Sequence, residues 1–388
     1  MNELKYDVVI HLVGEQLVPN YMAIKLSEAP VHILLATERT RLLHDKLRRA
    51  FAGRELDIRL VEVPATDYRG VLERLEAIAG LEGRRVGFNL TGGTKVMMAA
   101  ALDWCRARAY VPFYFDTQER KIHFFGSEAA TVDMPPVFES VTEFLTLAGY
   151  TVARPGRRAE DVLTVGRRRL LRAFWERRDF VRRPIGKFAD ATDKKYMNQP
   201  DRVPGCFWDA VDELERVTER AAPMLFEEWR QEFPDGGDWR PAAVFGAGGW
   251  FEEWMLMTFA DSKRASKFTD LQTGLVLQFG DSRSEKDAQE IDLAYTDGYV
   301  LTLIECKAGR VEQAHIQKLE NLRQQLGGVM GRGFLCVVNQ QDEDDLIVQR
   351  VKAGGLSLVT HLALPALPKF EAELRARRSY QFESDYRS

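Results

Sequence analysis

The sequence predicts an α/β chain made of two unlike units joined by a helical connector. Three observations carry this expectation. Short apolar runs alternate with amphipathic stretches from Lys5 to about Phe125. A charge-segregated, helix-rich stretch follows Pro135-Pro136. A second regular pattern, in the order αβββαβ, starts near Gly246. The expected boundaries are 1–135, 136–240 and 241–388, which suits a 388-residue chain at about 150 residues per domain.

In the first unit the apolar runs are YDVVIHLVG, VHILLAT, DIRLVEV, RVGFNLTGG and VPFYFD. Helical patterns such as ERTRLLHDKLRRAF and DYRGVLERLEAIAG lie between them. Near-continuous apolar strands alternating with helices read as a parallel sheet covered on both faces. KIHFFG is expected to add an antiparallel edge strand.

The connector carries its charges in blocks. Arg154 to Lys187 holds 12 basic and 4 acidic residues, while Asp209 to Arg240 holds 10 acidic and 4 basic ones. The basic block could track a nucleic-acid backbone. A solvated or acid-paired helical face, set against the acidic block, is the favoured reading, because charge runs usually mark solvent-facing surface. The tryptophans at 175, 208, 229, 239, 250 and 254 are expected in cores and interfaces.

The third unit reads as a helix (GGWFEEWMLMTFAD), three strands (TGLVLQFGD, QEIDLAYT, YVLTLIECK), a helix (RVEQAHIQKLENLRQQLGG) and a strand (GRGFLCVVN). E-x-K triplets occur at Glu3/Lys5, Glu119/Lys121 and Glu305/Lys307, so the triplet alone says little. The third one ends an apolar strand that follows QEIDLAYT across Asp297-Gly298, a favoured two-residue hairpin turn. With that loop Ala294 pairs with Leu301 and Asp292 with Leu303. Asp292, Glu305 and Lys307 then share one face, with the two carboxylates as diagonal neighbours about 7–8 Å apart. Such a pair can grip one divalent cation and leave positions for water and phosphate, with Lys307 beside them.

Composition removes several function classes. Lys and Arg number 54 against 58 Asp and Glu, a net charge of −4, which argues against a polybasic coat. The four cysteines, Cys105, Cys206, Cys306 and Cys336, form no CxxC pair, which disfavours a disulfide scaffold or zinc knuckle. No signal peptide is read at the start, and no run reaches the ~18 apolar residues of a membrane span. The expectation is a cytoplasmic protein with no membrane partner.

A second constellation lies in FNLTGGTKVMMAAALDW, where Thr91, Gly92, Gly93, Thr94 and Lys95 join a strand to a helix N-terminus. Backbone N–H groups and the helix dipole favour an anion there, and Lys95 adds a charge. The Walker A spacing is absent, which disfavours an ATPase. The loop after the first strand (Gly14, Glu15, Gln16, Asn20) and the loop after the second (Thr37, Glu38, Arg39) open on the same rim, where open α/β sheets bind ligands.

These residues resemble two known families. Asp292 followed by Glu305-Cys306-Lys307 is similar to the metal-binding hairpin of the PD-(D/E)XK nucleases, although Ile291 stands where that family often has Pro. The resemblance implies a further carboxylate on the preceding helix. Glu252 is preferred over Glu253 because it directly follows an aromatic residue, as in Mrr-like members. It also implies a Gln on the next helix, for which Gln313 and Gln317 are weak candidates. NLTGGTK and the first-strand loop resemble the CARF domain, a Rossmann-like sensor of cyclic oligoadenylates. The pairing resembles the cyclic-oligoadenylate-activated nucleases that accompany type III CRISPR systems. It implies Mg²⁺ or Mn²⁺ at Asp292, Glu305 and Glu252, with Asp292, Glu305, Lys307 and Glu252 catalytic. It further implies cyclic tetra-adenylate as the usual activator, a homodimer, and DNA or RNA as substrate. A constitutive Mrr-like restriction enzyme and a non-catalytic CARF regulator are the alternatives.

Overall fold

The computed structural model describes residues 4–126, 130–199, 201–219, 222–262, 265–279, 288–327, 331–338 and 346–360. The last part of the expected third domain, 361–388, lies outside the described residues. Two compact units result, one of Met1–Thr151 with Asp297–Tyr299, the other of Val152–Thr296 with Val300–Ser388.

The first unit runs β1 (Val8–Leu12), α1 (Val18–Leu26), β2 (Val31–Ala36), α2 (Leu43–Ala50), β3 (Asp57–Glu62), α3 (Tyr68–Glu76), β4 (Val86–Asn89), α4 (Lys95–Arg108), β5 (Val111–Asp116), β6 (Lys121–Phe124), β7 (Ala130–Asp133) and α5 (Val141–Ala148). Its sheet has the order β3-β2-β1-β4-β5-β6-β7. The first five strands are parallel, and β6 and β7 are antiparallel additions. All of β1 and β4 is buried, which is why their sequences are continuous apolar runs rather than alternating ones. Strand order reverses between β1 and β4, so the loops after these two strands part at a topological switch point. KIHF forms the expected antiparallel strand, but β7 and not β6 is the edge. Ala130–Asp133 is too short and too exposed to announce itself in sequence.

In the second unit a six-stranded sheet has the order β13-β12-β11-β10-β9-β8. Its strands are β8 (Tyr150–Arg154), β9 (Asp270–Phe279), β10 (Gln289–Thr296), β11 (Leu301–Lys307), β12 (Arg332–Val337) and β13 (Ser357–Thr360). The expected αβββαβ order is present as the helix Trp250–Ala260, β9, β10, β11, the helix Gln313–Leu322 and β12. The hairpin register differs from the expected one by two residues. Thr296 pairs with Leu301 and Ala294 with Leu303, so the loop is the four residues Asp297–Val300. The loop closes with the Tyr299 amide donating to Asp297 Oδ1 at 3.2 Å, and Gly298 takes a φ of 85°. A shift of two keeps every side chain on its face. Continuing the Leu293–Ile304 pairing by one residue sets Asp292 across from Glu305 instead of diagonal to it.

The connector does not stand apart. Its helices from Val165 onward bury Leu170, Leu171, Phe174, Trp175 and Trp229 in the same core as Trp250, Phe251 and Leu256. Trp175 stacks on Trp254 at 4.8 Å. Among the named tryptophans Trp208 is the exposed one, at 45%. The basic block is largely ion-paired, as favoured. Arg167, Arg169 and Lys187 reach Glu232, Glu228 and Glu213 of the acidic block. Arg154, Arg157, Arg158 and Arg168 reach Glu290, Glu253, Asp270 and Asp261.

Candidate active site and candidate anion rim

Antiparallel pairing of β10 with β11 brings the expected triad together. Asp292 and Glu305 are 6% and 3% exposed, an unusual depth for two carboxylates. Lys307 Nζ lies 2.7 Å from Glu305 Oε1 and 3.5 Å from Asp292 Oδ2. The Cys306 amide donates to Asp292 Oδ2 at 2.8 Å. Burial, reinforced by the Glu305 charge, raises the Asp292 pKa to about 6, against the pull of Lys307 and the Cys306 amide. Burial also disfavours the Lys307 ammonium, but Asp292 and Glu305 more than reverse this and raise its pKa.

The helix Trp250–Ala260 separates its two glutamates. Glu252 senses the carboxylate pair: burial first, then the Asp292 and Glu290 charges, push its pKa well above the ordinary value. Glu253 points instead to Arg157 and Arg167, at 3.7 and 3.5 Å. The sheet side of this helix is therefore the Glu252 side.

Among the described residues no three His, Cys, Asp or Glu side chains surround a common cation position. The donor set still suits a hard divalent ion. Two carboxylates already converge on one ammonium, and oxygen ligands from water and phosphate can complete the shell.

Sequence reasoning missed Lys318. Its Nζ lies 3.0 Å from Glu305 Oε2, so it meets the oxygen that Lys307 does not. Gln313 and Gln317, weakly expected here, are directed elsewhere: Gln313 accepts from Arg350 at 2.6 Å and Gln317 donates to Asn321 at 3.2 Å. Both are exposed because they flank the buried stripe Ile316, Leu319, Leu322 on its outer side. The signal available in sequence was that Lys318 borders this stripe.

In the first unit, the loops after β1 and β4 abut. A Cβ on Gly14 would meet the Gly93 nitrogen at 3.3 Å, and one on Gly92 would collide with the Leu12 carbonyl. Gly93 has a φ of 69°, which a side chain disfavours. Glu15 pairs with Arg39 at 2.8 Å and so ties the loop after β1 to that after β2. Gln16, Gly93 and Lys95 are exposed, and Lys95 has no ion pair among the described residues.

Three rim residues differ from the expectation. Asn20 is fully buried and donates to the Leu12 carbonyl at 2.9 Å, so it lies under the rim. The Thr94 hydroxyl accepts from the Met97 amide at 3.2 Å and donates to the Ala65 carbonyl, which commits it to capping α4. The Thr91 hydroxyl accepts from the Phe115 amide at 2.7 Å. Their side chains shape the loop, while Gly93 and Lys95 are exposed and Gly92 packs against the Leu12 carbonyl.

Residues 8–145 match the family described as the Card1 CARF domain, and residues 240–377 match the family described as Card1-like, endonuclease domain. The chain joins a CARF domain to a Card1-like endonuclease domain. Asp292, Glu305, Lys307 and Lys318 all lie in the endonuclease domain, and the glycine-rich rim lies in the CARF domain.

Solved structures agree on the fold. Can2 from Sulfobacillus thermosulfidooxidans, in complex with cyclic tetra-adenylate, superposes with a TM-score of 0.64 at 19% identity, covering 91% of this chain and 92% of that one. Protein VC1899 from Vibrio cholerae gives 0.72 at 14% identity, covering 96% and 98%. A type III CRISPR defence DNA nuclease activated by cyclic oligoadenylate gives 0.52 at 16% identity, covering 86% of this chain and 46% of its own. Among curated proteins no sequence matches this chain. Among the described residues no helix is long and apolar enough to cross a membrane.

Proposed function

We propose that this CARF endonuclease hydrolyses nucleic-acid phosphodiesters with a divalent metal, and is switched on by a cyclic oligoadenylate in type III CRISPR defence. The observation that carries the proposal is the buried carboxylate pair Asp292 and Glu305 sharing the Lys307 ammonium. Cyclic tetra-adenylate is the activator favoured here, since Can2, which shares the fold, holds it.

Asp292 and Glu305 would hold Mg²⁺ or Mn²⁺, with Glu252 as a further carboxylate. The ion would supply Lewis-acid stabilisation and lower the pKa of a bound water. Lys307 stays cationic beside the carboxylates and offers N–H donors to the attacking water or to a non-bridging phosphate oxygen. Hydrolysis adds the elements of water across one P–O bond. Burial of the triad lowers the local dielectric and strengthens each of these contacts.

At the CARF rim, the Gly92 and Gly93 backbone and Lys95 would receive ring phosphates, with Glu15, Gln16 and Thr37 bordering them. A homodimer would present two such rims to one ring. Binding would bias the enzyme toward a cleaving arrangement by the difference in ring affinity between its states. The protein would work in the cytoplasm on DNA or RNA.

The test is cleavage of labelled DNA and RNA with Mn²⁺ or with chelator, each with and without cyclic tetra-adenylate, by wild type and Glu305→Ala. Cutting that needs both metal and activator, and is absent in Glu305→Ala, is the expected result. Equal cutting without activator would replace this reading with a constitutive restriction enzyme. Normal cutting by Glu305→Ala would overturn the active-site assignment.

A further inference from the structure

We propose that Lys318 is a second functional lysine of the endonuclease cleft, holding Glu305 in the metal-free protein and serving the substrate backbone in the metal-bound one. The proposal rests on the metal-nuclease reading above.

Both oxygens of Glu305 are taken by ammonium groups. Lys307 lies 2.7 Å from Oε1 and Lys318 lies 3.0 Å from Oε2. Asp292 Oδ2 in turn receives the Cys306 amide and Lys307. A divalent cation held by this pair therefore competes with an ammonium for Glu305.

The two lysines are not equally placed to yield. Lys307 grows from β11 itself, touches both carboxylates, and has a side chain 22% exposed. Lys318 reaches in from the helix Gln313–Leu322, touches Glu305 alone among the described carboxylates, and is 31% exposed. Lysine also carries its charge on a flexible four-carbon stem, so the head can swing while the stem stays packed. Lys318 is the one to leave.

Charge says where it goes. Asp292, Glu305 and Glu252 together carry one negative charge more than Lys307 and Lys318 balance, so a bound dication leaves a surplus of about one positive charge at the cleft. That surplus attracts the anionic backbone of a nucleic acid, and the released Lys318 ammonium is beside it. Lys318 thus acts as a positioning residue toward Glu305 and as a phosphate contact toward substrate.

The experiment measures two affinities in the full-length protein: Mn²⁺ by calorimetry without substrate, and labelled DNA by anisotropy with Ca²⁺ in place of Mn²⁺. Lys318→Met should bind Mn²⁺ about three- to tenfold more tightly, because a competing cation is gone, and DNA weaker by a similar factor. Lys318→Arg should return DNA affinity toward wild type. Lys318→Gln repeats the test if the methionine variant fails to fold. A wild-type value for either affinity in Lys318→Met, or weaker Mn²⁺ binding, overturns the proposal. Glu305→Gln separates the two readings. If it loses Mn²⁺ binding while Lys318→Met behaves as wild type, only the Lys318 role falls; if it keeps full Mn²⁺ binding, the metal reading falls and takes this proposal with it.

Discussion

Asp292 on β10 accepts a hydrogen bond from the backbone amide of Cys306 on β11 at 2.8 Å. The bond fixes one carboxylate oxygen to the neighbouring strand and leaves Oδ1 for other work. It also explains how a group 6% exposed is tolerated: the amide and Lys307 partly offset the cost of its burial.

Asp292→Asn can keep the acceptor for Cys306 while removing the charge. Metal-dependent cleavage should fall by roughly 100-fold or more. Stability should move the other way. A native pKa of about 6 for a carboxyl means its ionised form is disfavoured by the fold at pH 7. Relieving it should stabilise the metal-free protein by on the order of 1–3 kcal/mol. Thermal melts at pH 7 with chelator check this; a strongly lowered melting temperature would contradict it.

Glu252 and Glu253 are neighbours with opposite duties, and glutamine variants separate them. Glu252→Gln removes a carboxylate from the Asp292 cluster, so cleavage and Mn²⁺ affinity should drop while melting is unchanged or raised. Glu253→Gln weakens the partners of Arg167, whose side chain is only 18% exposed and whose remaining acid is Glu232. Burial outweighs its arginine partners and raises the Glu253 pKa, so the variant should leave stability unchanged or slightly raised and leave Mn²⁺ affinity intact. Denaturant unfolding and calorimetry on both variants decide the assignment.

What was legible in sequence had a periodicity behind it. The β1 and β4 runs were readable because both faces of those strands are buried. The shared face of Asp292, Glu305 and Lys307 was readable because side-chain direction depends only on parity. The register was not, because Asp-Gly invites a two-residue loop, whereas here the Asp297 side chain accepts from the Tyr299 amide and a four-residue loop forms. Lys318 was hidden because its meeting with Glu305 depends on how a helix lies across β11. The duties of Thr91 and Thr94 were hidden for a similar reason: their partners, Phe115 and Ala65, come from distant loops and strands.

Lys95 and Thr94 stand side by side at the start of α4 and should respond differently. Lys95 is exposed with no ion pair among the described residues, so Lys95→Ala should leave melting unchanged and weaken cyclic tetra-adenylate binding about tenfold. Thr94→Ala removes the cap and should cost about 1 kcal/mol of stability. Gly92→Ala places a methyl against the Leu12 carbonyl and should disrupt the loop and binding together. Equilibrium binding and melting curves on the three variants test the rim; full affinity in Lys95→Ala would remove that lysine from it.

The CARF core holds a buried histidine pair, His11 Nε2 lying 3.0 Å from His32 Nδ1. Burial lowers the His32 pKa to about 4, and burial together with its neighbour lowers that of His11 well below the ordinary value. The unfolded chain takes up these protons near pH 6.5 and the folded one does not. Stability from the pair is therefore complete above about pH 6.5 and is lost as pH falls toward 4, by up to ~1.4 kcal/mol per pH unit for each histidine. Asp292 titrates with the opposite sign, since its raised pKa favours the folded state as pH falls. The difference between wild type and His11→Gln/His32→Gln isolates the pair: the gap in unfolding free energy should narrow steadily between pH 6.5 and pH 4.5. A constant gap across that range would show that the histidines are not the acid-sensitive element of this domain.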